Sequence, residues 1–307
     1  MVKTSRRSFL AQAATVALAS SLRSRAWAAT LQFPIGLELY TVGEPLTKDP
    51  AGTLKKVAAI GYQGVEVSGF ANLTPATLRK LIDDAGLNCP AAHLQFGFKE
   101  TAKVLEEAKA LDVPYAASSI LLPASNAPVA GGMGGVMAKL NSLTADDFKR
   151  IAERANQIGE ESKKAGVQFG YHNHTHEFRD LGDGKTGYAI LLAETDPALV
   201  QFEADCGWMT TAGADPIQYF QKYPGRYRVI HVKDFPAGTK VTTTMGGAGA
   251  PHPTELGKGH IDYKPILAAA KRAGVEHFFV EQDPPMVGMT PLEAAEVDYA
   301  YLKSING

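Results

Sequence analysis

The sequence predicts an α/β protein, a single (β/α)8 TIM barrel with eight parallel strands. Three observations carry that reading. Short runs rich in β-branched and aromatic residues alternate eight times with amphipathic stretches. The runs are apolar nearly throughout, as strands covered by helices must be, rather than alternating apolar with polar. No linker or shift in composition divides the 307-residue chain, so the units share one core, and eight of them at this length close into a barrel.

Taken in order, strand then helix, the pairs fall at 34–40 and 50–60, 64–67 and 75–85, 88–95 and 99–111, and 114–121 and 145–165. The second half continues with 167–174 and 187–195, 199–205 and 215–223, 227–233 and 263–273, and 277–282 and 291–304. Gly61, Gly86, Gly166 and Gly274 follow four of these helices, where a left-handed residue lets the chain turn into the next strand. Two segments are too long and glycine-rich for simple connections. Residues 123–141 follow the fourth strand and 237–260 the seventh, both on the side where the strands end, so both are expected as mobile lid loops. Neither has the Gly-Lys-Ser/Thr ending of a phosphate cradle.

The first 28 residues are expected to be a signal and not part of the fold. Ser5-Arg6-Arg7-Ser8-Phe9-Leu10 is a twin-arginine export signature, an apolar stretch follows at 9–22, and Ala26-Trp27-Ala28 places cleavage after Ala28. The barrel then occupies 29–307, in the periplasm, with the export machinery as the precursor's partner. The apolar stretch is too short and too polar for a permanent span. The formal charge is −1, and the first 28 residues hold five basic side chains and no acid, so the mature chain carries −6. That balance argues against nucleic acid as a partner, which would need clustered Lys and Arg. Two cysteines, Cys89 and Cys206, lie far apart, and export of an already folded protein makes an essential disulfide unexpected. Cys206 points to the opposite strand face from Asp205 and is read as a small core residue.

Four of the runs end on residues able to hold a divalent ion. They are Val-Gln-Phe-Gly-Tyr-His-Asn-His (167–174), Val-Gln-Phe-Glu-Ala-Asp (200–205), Tyr-Arg-Val-Ile-His (227–231) and His-Phe-Phe-Val-Glu (277–281). In a parallel barrel His172, Asp205, His231 and Glu281 converge at one rim, where such barrels do their chemistry. One such residue alone is weak evidence, but four on consecutive strands form a coherent shell. Two imidazoles and two carboxylates suit Mn²⁺, Zn²⁺ or Co²⁺ better than Mg²⁺. Glu203 shares the face of Asp205, and His174 that of His172. Glu177 is the rival for the strand-5 ligand, and His174 orients ligands or binds substrate. Glu38, Glu66 and His93 are further rim candidates for substrate binding. Trp208, with Met209 beside it, offers an apolar platform for a sugar ring, and Lys233 a cation to polarise a substrate oxygen.

Tyr-His-Asn-His-Thr-His-Glu-Phe (171–178), Asp-Cys-Gly-Trp (205–208), Gly-Ala-Asp-Pro (213–216), His-Val-Lys-Asp-Phe (231–235), Gly-Lys-Gly-His-Ile-Asp (257–262) and Val-Glu-Gln-Asp (280–283) together resemble the sugar phosphate isomerase/epimerase family of the xylose isomerase-like barrel superfamily. The resemblance runs from Ile35 to the C-terminus. It implies a (β/α)8 barrel with one divalent ion held at the ends of strands 5 to 8 by Glu, Asp, His and Glu, the two glutamates acting as acid and base. Asp205, His231 and Glu281 match that pattern, whereas His172 stands where the strand-5 glutamate belongs. The implied chemistry is removal of a proton α to a sugar carbonyl, with Glu281, Glu177 or His174 moving the proton. Isomerisation or epimerisation of an unphosphorylated sugar or keto-sugar is the leading expectation. Elimination from a keto-sugar or 3-keto-glycoside by a lyase or dehydratase is the alternative, and a non-catalytic sugar-binding barrel is the rival of another class. A homo-oligomer is compatible with the sequence.

Overall fold

The computed structural model describes residues 33–123, 129–247 and 249–306. The expected export signal and its cleavage point lie outside the described residues.

Eight parallel strands close into a barrel in chain order: β1 (Ile35–Glu38), β2 (Gly64–Ser68), β3 (Asn88–His93), β4 (Tyr115–Ser118), β5 (Gln168–His172), β6 (Val200–Asp205), β7 (Tyr227–Val232) and β8 (His277–Val280). The helices that return the chain are α1 (Pro50–Ile60), α2 (Pro75–Asp84), α3 (Thr101–Leu111), α4 (Ala145–Lys164), α5 (Gly187–Glu194), α6 (Pro216–Lys222), α7 (Tyr263–Ala273) and α8 (Pro291–Ile305). Local chemistry sets their ends. Thr144 and Thr290 each form a reciprocal capping box, with Asp147 and Glu293 respectively. The glycines expected after four helices, Gly61, Gly86, Gly166 and Gly274, all have positive φ.

Inside the barrel, side chains stack in two unlike layers. Ala91, Tyr115, Ala117, Val229 and Phe279 form an apolar plug. Two glycines make room for its rings: a Cβ on Gly36 would lie 2.5 Å from the Phe279 ring, and one on Gly170 2.1 Å from the Tyr115 hydroxyl. Two residues further along the strands the interior turns polar, with His93 following Ala91 and His231 following Val229. Glu66, His172 and Glu203 complete that layer, all buried.

The strands are shorter than their apolar runs. β5 stops at His172 because the Asn173 side chain takes over its pairing with β6, donating to Asp205 O and accepting from Asp205 N at 3.3 and 3.2 Å. The connection after β4 also differs from the expected loop. Gly132–Asn141 is a helix in spite of its three glycines, packed on the core through Val136 and Leu140. A further short helix, Cys206–Thr211, follows β6 directly.

The segment after β7 keeps its loop character but is held from within. The buried Asp234 carboxylate accepts from five backbone N–H groups, those of Phe235, Gly257, Gly259, His260 and Ile261, at 2.8–3.1 Å. Gly259 is required there, since a Cβ would lie 2.1 Å from the same carboxylate. Asp234→Ala strands those donors and should lower stability by about 3 kcal/mol or more, read from the urea midpoint. A loss below about 1 kcal/mol would mean that water replaces the carboxylate.

Candidate active site

The four strand-end residues expected as ligands do meet. His172 closes β5, Asp205 closes β6, His231 lies one residue before the end of β7, and Glu281 follows β8. One donor atom from each lies within 4.8 Å of the others. His172 Nε2 is 4.0 Å from Asp205 Oδ2, and His231 Nδ1 is 2.8 Å from Glu281 Oε2. Asp205 divides its two oxygens between tasks. Oδ1 accepts from Trp208 N at 2.7 Å and so caps the short helix, while Oδ2 is buried with no hydrogen-bond partner. A buried carboxylate oxygen with no hydrogen bond, facing two imidazole nitrogens, a second carboxylate and the Lys233 ammonium at 3.5 Å, fits a divalent ion with mixed nitrogen and oxygen ligands.

Beneath this set, two carboxylates orient the rings. His172 Nδ1 meets Glu203 Oε1 at 2.9 Å, and His231 Nε2 meets Glu66 Oε2 at 2.6 Å. A histidine that donates one N–H to a carboxylate turns its other nitrogen outward as a fixed acceptor, the usual support for a metal-binding imidazole. Glu203 Oε1 also pairs with His93 Nε2 and lies 3.3 Å from His231 Nε2. His93, His172, Glu203 and His231 thus form a second compact donor group. Its shared oxygen already serves three imidazoles, so the upper group, which borders the cleft, is the better metal site.

Lys233 balances the charge. Its buried ammonium lies 2.8 Å from Asp283 Oδ2, 3.0 Å from Glu281 Oε2 and 3.5 Å from Asp205 Oδ2, and 4.7 Å from the Trp208 ring centre. Three carboxylates share this one ammonium, an acid-rich setting that suits a cation. Burial pushes the Glu281 carboxyl upward, but Lys233 and His231 outweigh it and hold it well below the usual carboxylate range. The Glu38 carboxyl moves the other way, pushed up to about 8 by burial and then by the Glu281 charge. Burial also drives the His174 ring well below the ordinary histidine value, so it is neutral.

Glu38, His93, His172, His174, Trp208 and Glu281 line one cleft of about 770 Å³ at the C-terminal ends of the strands. Three expected residues sit elsewhere. Glu66 lies under the site with no exposed surface, bound to His231, so it orients a ring instead of touching substrate. Lys233 reaches the site from behind the carboxylates and does not border the cleft. Glu177 is also absent from the lining and is engaged by Tyr171 Oη and His174 N, both at 3.0 Å. In that position Glu177 braces the turn that presents His174 and belongs neither to the cleft lining nor to the four-residue donor group. Met209 and Cys206 are buried in the core. Two members of the site were not anticipated in any role. Glu203 had a visible signal, an acid two residues before Asp205 on the same strand face. Asp283 stands two residues beyond Glu281, past the end of the strand pattern.

Comparison with known proteins places this geometry in context. Residues 54–305 match the family model described as xylose isomerase-like TIM barrel. The inosose dehydratase of Lacticaseibacillus casei is 27% identical over 274 residues, covering 82% of this chain and 89% of its own length. A sugar phosphate isomerase/epimerase from Parabacteroides distasonis superposes with a TM-score of 0.68 at 25% identity, over 88% of this chain and 93% of that one. An IolI protein with a bound zinc atom shares the fold at 13% identity, with a TM-score of 0.60 over 89% of this chain and 98% of its own. Such relatives are isomerases, epimerases and dehydratases, and this chain is an enzyme of that broad type. It belongs to the xylose isomerase-like TIM barrel family.

Proposed function

We propose that the protein is a divalent-metal-dependent lyase that eliminates from a carbonyl-bearing polyhydroxylated ring, a keto-sugar or keto-cyclitol. The observation that carries the reading is the meeting of His172, Asp205, His231 and Glu281 at the floor of a cleft, with the Glu38 carboxyl beside them. The similarity to inosose dehydratases supports elimination over other outcomes.

An ion held by these four residues would supply Lewis-acid stabilisation of the oxyanion that develops when a ketone loses its α proton. The protein's own groups handle the protons. Glu281, kept ionised by Lys233 and His231, accepts the α proton. Glu38, kept protonated by burial and by the neighbouring Glu281 charge, donates to the departing β oxygen. One C–H and one C–O bond break, a C=C bond forms, and the leaving hydroxyl departs as water. Two carboxyls driven apart in pKa divide the roles of base and acid in this way. β1 and β8 are neighbours, so both groups reach the substrate from one side, which suits elimination across one face. Epimerisation needs proton carriers on opposite faces, and the strand-5 carboxylate that would serve the far face is replaced by His172. One observation favours the isomerase or epimerase reading: His174 lines the cleft from β5's side, and its buried Nδ1 has no partner.

The twin-arginine signature and the net charge of the mature chain support a periplasmic enzyme acting on an unphosphorylated substrate. Replacing Arg6 and Arg7 with Lys should leave the precursor in the cytoplasm, since the paired guanidiniums carry the signal. Undiminished mature protein in the periplasmic fraction would refute this.

The metal shell is tested by metal analysis. Asp205→Ala and His231→Ala should each lose stoichiometric Mn²⁺, Zn²⁺ or Co²⁺ while keeping the far-ultraviolet spectrum of a folded barrel. Glu203→Gln should keep the ligands but bind the ion roughly ten- to a hundredfold more weakly in chelator competition, the scale for an orienting partner. Full occupancy and wild-type affinity in all three would overturn the proposed shell.

The reaction is tested in D₂O by NMR on the Mn²⁺-loaded enzyme with inososes, keto-sugars and 3-keto-glycosides. Elimination predicts an unsaturated or rearranged dehydration product, with both Glu281→Gln and Glu38→Gln slower by about a hundredfold or more. Deuterium wash-in with inverted configuration and no loss of water would establish epimerisation instead. Absence of any exchange or product across the panel would refute the enediolate chemistry.

A further inference from the structure

Among the described residues five large hydrophobic side chains are exposed: Tyr40, Phe98, Met133, Val241 and Val287. Three of them, Tyr40, Phe98 and Met133, line the catalytic cleft. Apolar surface left open beside a reaction centre marks a place where a ligand covers it. Met137 and Met245 also line the cleft, so three of the chain's seven methionines stand around its mouth.

These residues do not come from the strands. Phe98 follows β3, Met133 and Met137 lie on the helix after β4, and Met245 lies in the long segment after β7. The last two elements are fastened to each other. Asn141 Nδ2 donates to Met245 O at 3.0 Å, and Met245 N donates back to Asn141 Oδ1 at 2.8 Å. The two expected lids are therefore clasped together, and the apolar residues they bring stand at a fixed edge of the cleft. At about 770 Å³ the space exceeds what one sugar ring fills and falls within the range, roughly 300–1,000 Å³, of pockets that take whole drug-sized ligands.

We propose that the cleft takes a two-part substrate: the polyhydroxylated ring lies on the floor beside His172 and Glu281, and a flat apolar substituent, an aromatic aglycone, lies against Phe98 and Met133. Aromatic rings and thioethers favour a flat π-surface, because sulfur and ring edges both gain from contact with it. The polar floor and the apolar patch of Phe98 and Met133, set among the polar Gln95, Thr244 and His252, match a glycoside with one hydroxylated and one aromatic half. This inference deepens the proposed function by naming the substrate class of the same site.

The test is binding, so that it stands apart from catalysis. Full-length protein loaded with Mn²⁺ is titrated by calorimetry with methyl β-D-glucopyranoside and with phenyl β-D-glucopyranoside, neither of which carries the ketone needed for reaction. The phenyl glycoside should bind at least about tenfold more tightly, the scale for burying a few methylenes' worth of apolar surface. Phe98→Ser combined with Met133→Ser should bring its affinity down to that of the methyl glycoside. Val287→Ser, at an exposed hydrophobic outside the cleft, should keep the preference. Equal affinities in the wild type, including no binding of either glycoside, would overturn the proposal, as would a preference that survives the double substitution. Failure of the elimination chemistry would show in the D₂O experiment alone and would leave this comparison intact.

Discussion

One carboxylate oxygen, Glu203 Oε1, holds the upper barrel together. It pairs with His93 Nε2, lies 2.9 Å from His172 Nδ1 and 3.3 Å from His231 Nε2, and has no exposed surface. Burial penalises this charge, but the surrounding imidazoles outweigh the penalty and hold the group well below the usual carboxylate range. Such an arrangement tolerates no loose member, since an unpaired buried charge is far costlier than an unpaired surface one. The plug of Tyr115 and Phe279 beneath it supplies the dry floor that makes each of these contacts strong. The apolar layer thus acts on function through the polar one: it fixes two rings whose outward nitrogens then have one direction to face.

The same bookkeeping of charge links the metal site to folding. Lys233 and His231 offset part of the charge of the three carboxylates gathered there, and the negative remainder favours a cation. Like charges held together in a buried pocket oppose folding, and an ion that binds only the native arrangement relieves that strain. An ion held there would add to the stability of the upper barrel as well as supply its chemistry. Burial, and then the Glu281 charge, push the Glu38 carboxyl up to about 8, while Lys233 and His231 hold Glu281 low.

The barrel and the meeting of His172, Asp205, His231 and Glu281 were legible in the sequence because both follow from strand periodicity. A run buried on both faces announces a covered parallel strand, and a polar residue at its C-terminal end announces the rim. What lay beyond that periodicity was less readable. The helix Gly132–Asn141 is poor in helix-forming residues at its start and depends on Val136 and Leu140 packing on the core, a tertiary effect no local pattern reports. Glu66 and Glu38 both come near strand ends, and sequence alone could not tell that one would sit under the site and the other in the cleft. Glu177 read as a proton carrier because it crowds the histidine turn, yet a residue three positions from His174 is well placed to bond its backbone, and that is where it went. Asp234 stands in the sequence simply as the residue after Lys233. Its role required knowing that Gly257, Gly259, His260 and Ile261 fold back upon it.

Chemistry and selectivity are thereby assigned to parts of the chain with different mechanical character. The donor groups stand on strand ends that are braced by their neighbours in register, such as Asp205 beside His231 and Glu38 beside Glu66. The exposed apolar residues of the cleft stand on connections, where sequence change is better tolerated than in the barrel strands. Connections alone would give a mobile, weakly selective mouth, since ordering a loop on binding consumes part of the contact energy. Asn141 alters that balance by tying the helix after β4 to the segment after β7 through two hydrogen bonds. The Asp234 carboxylate anchors the far end of that segment, so it is tied twice, at Met245 itself and at Gly257 and Gly259. A mouth ordered before the ligand arrives can select a substituent by shape, because little of the contact energy is then consumed in ordering it.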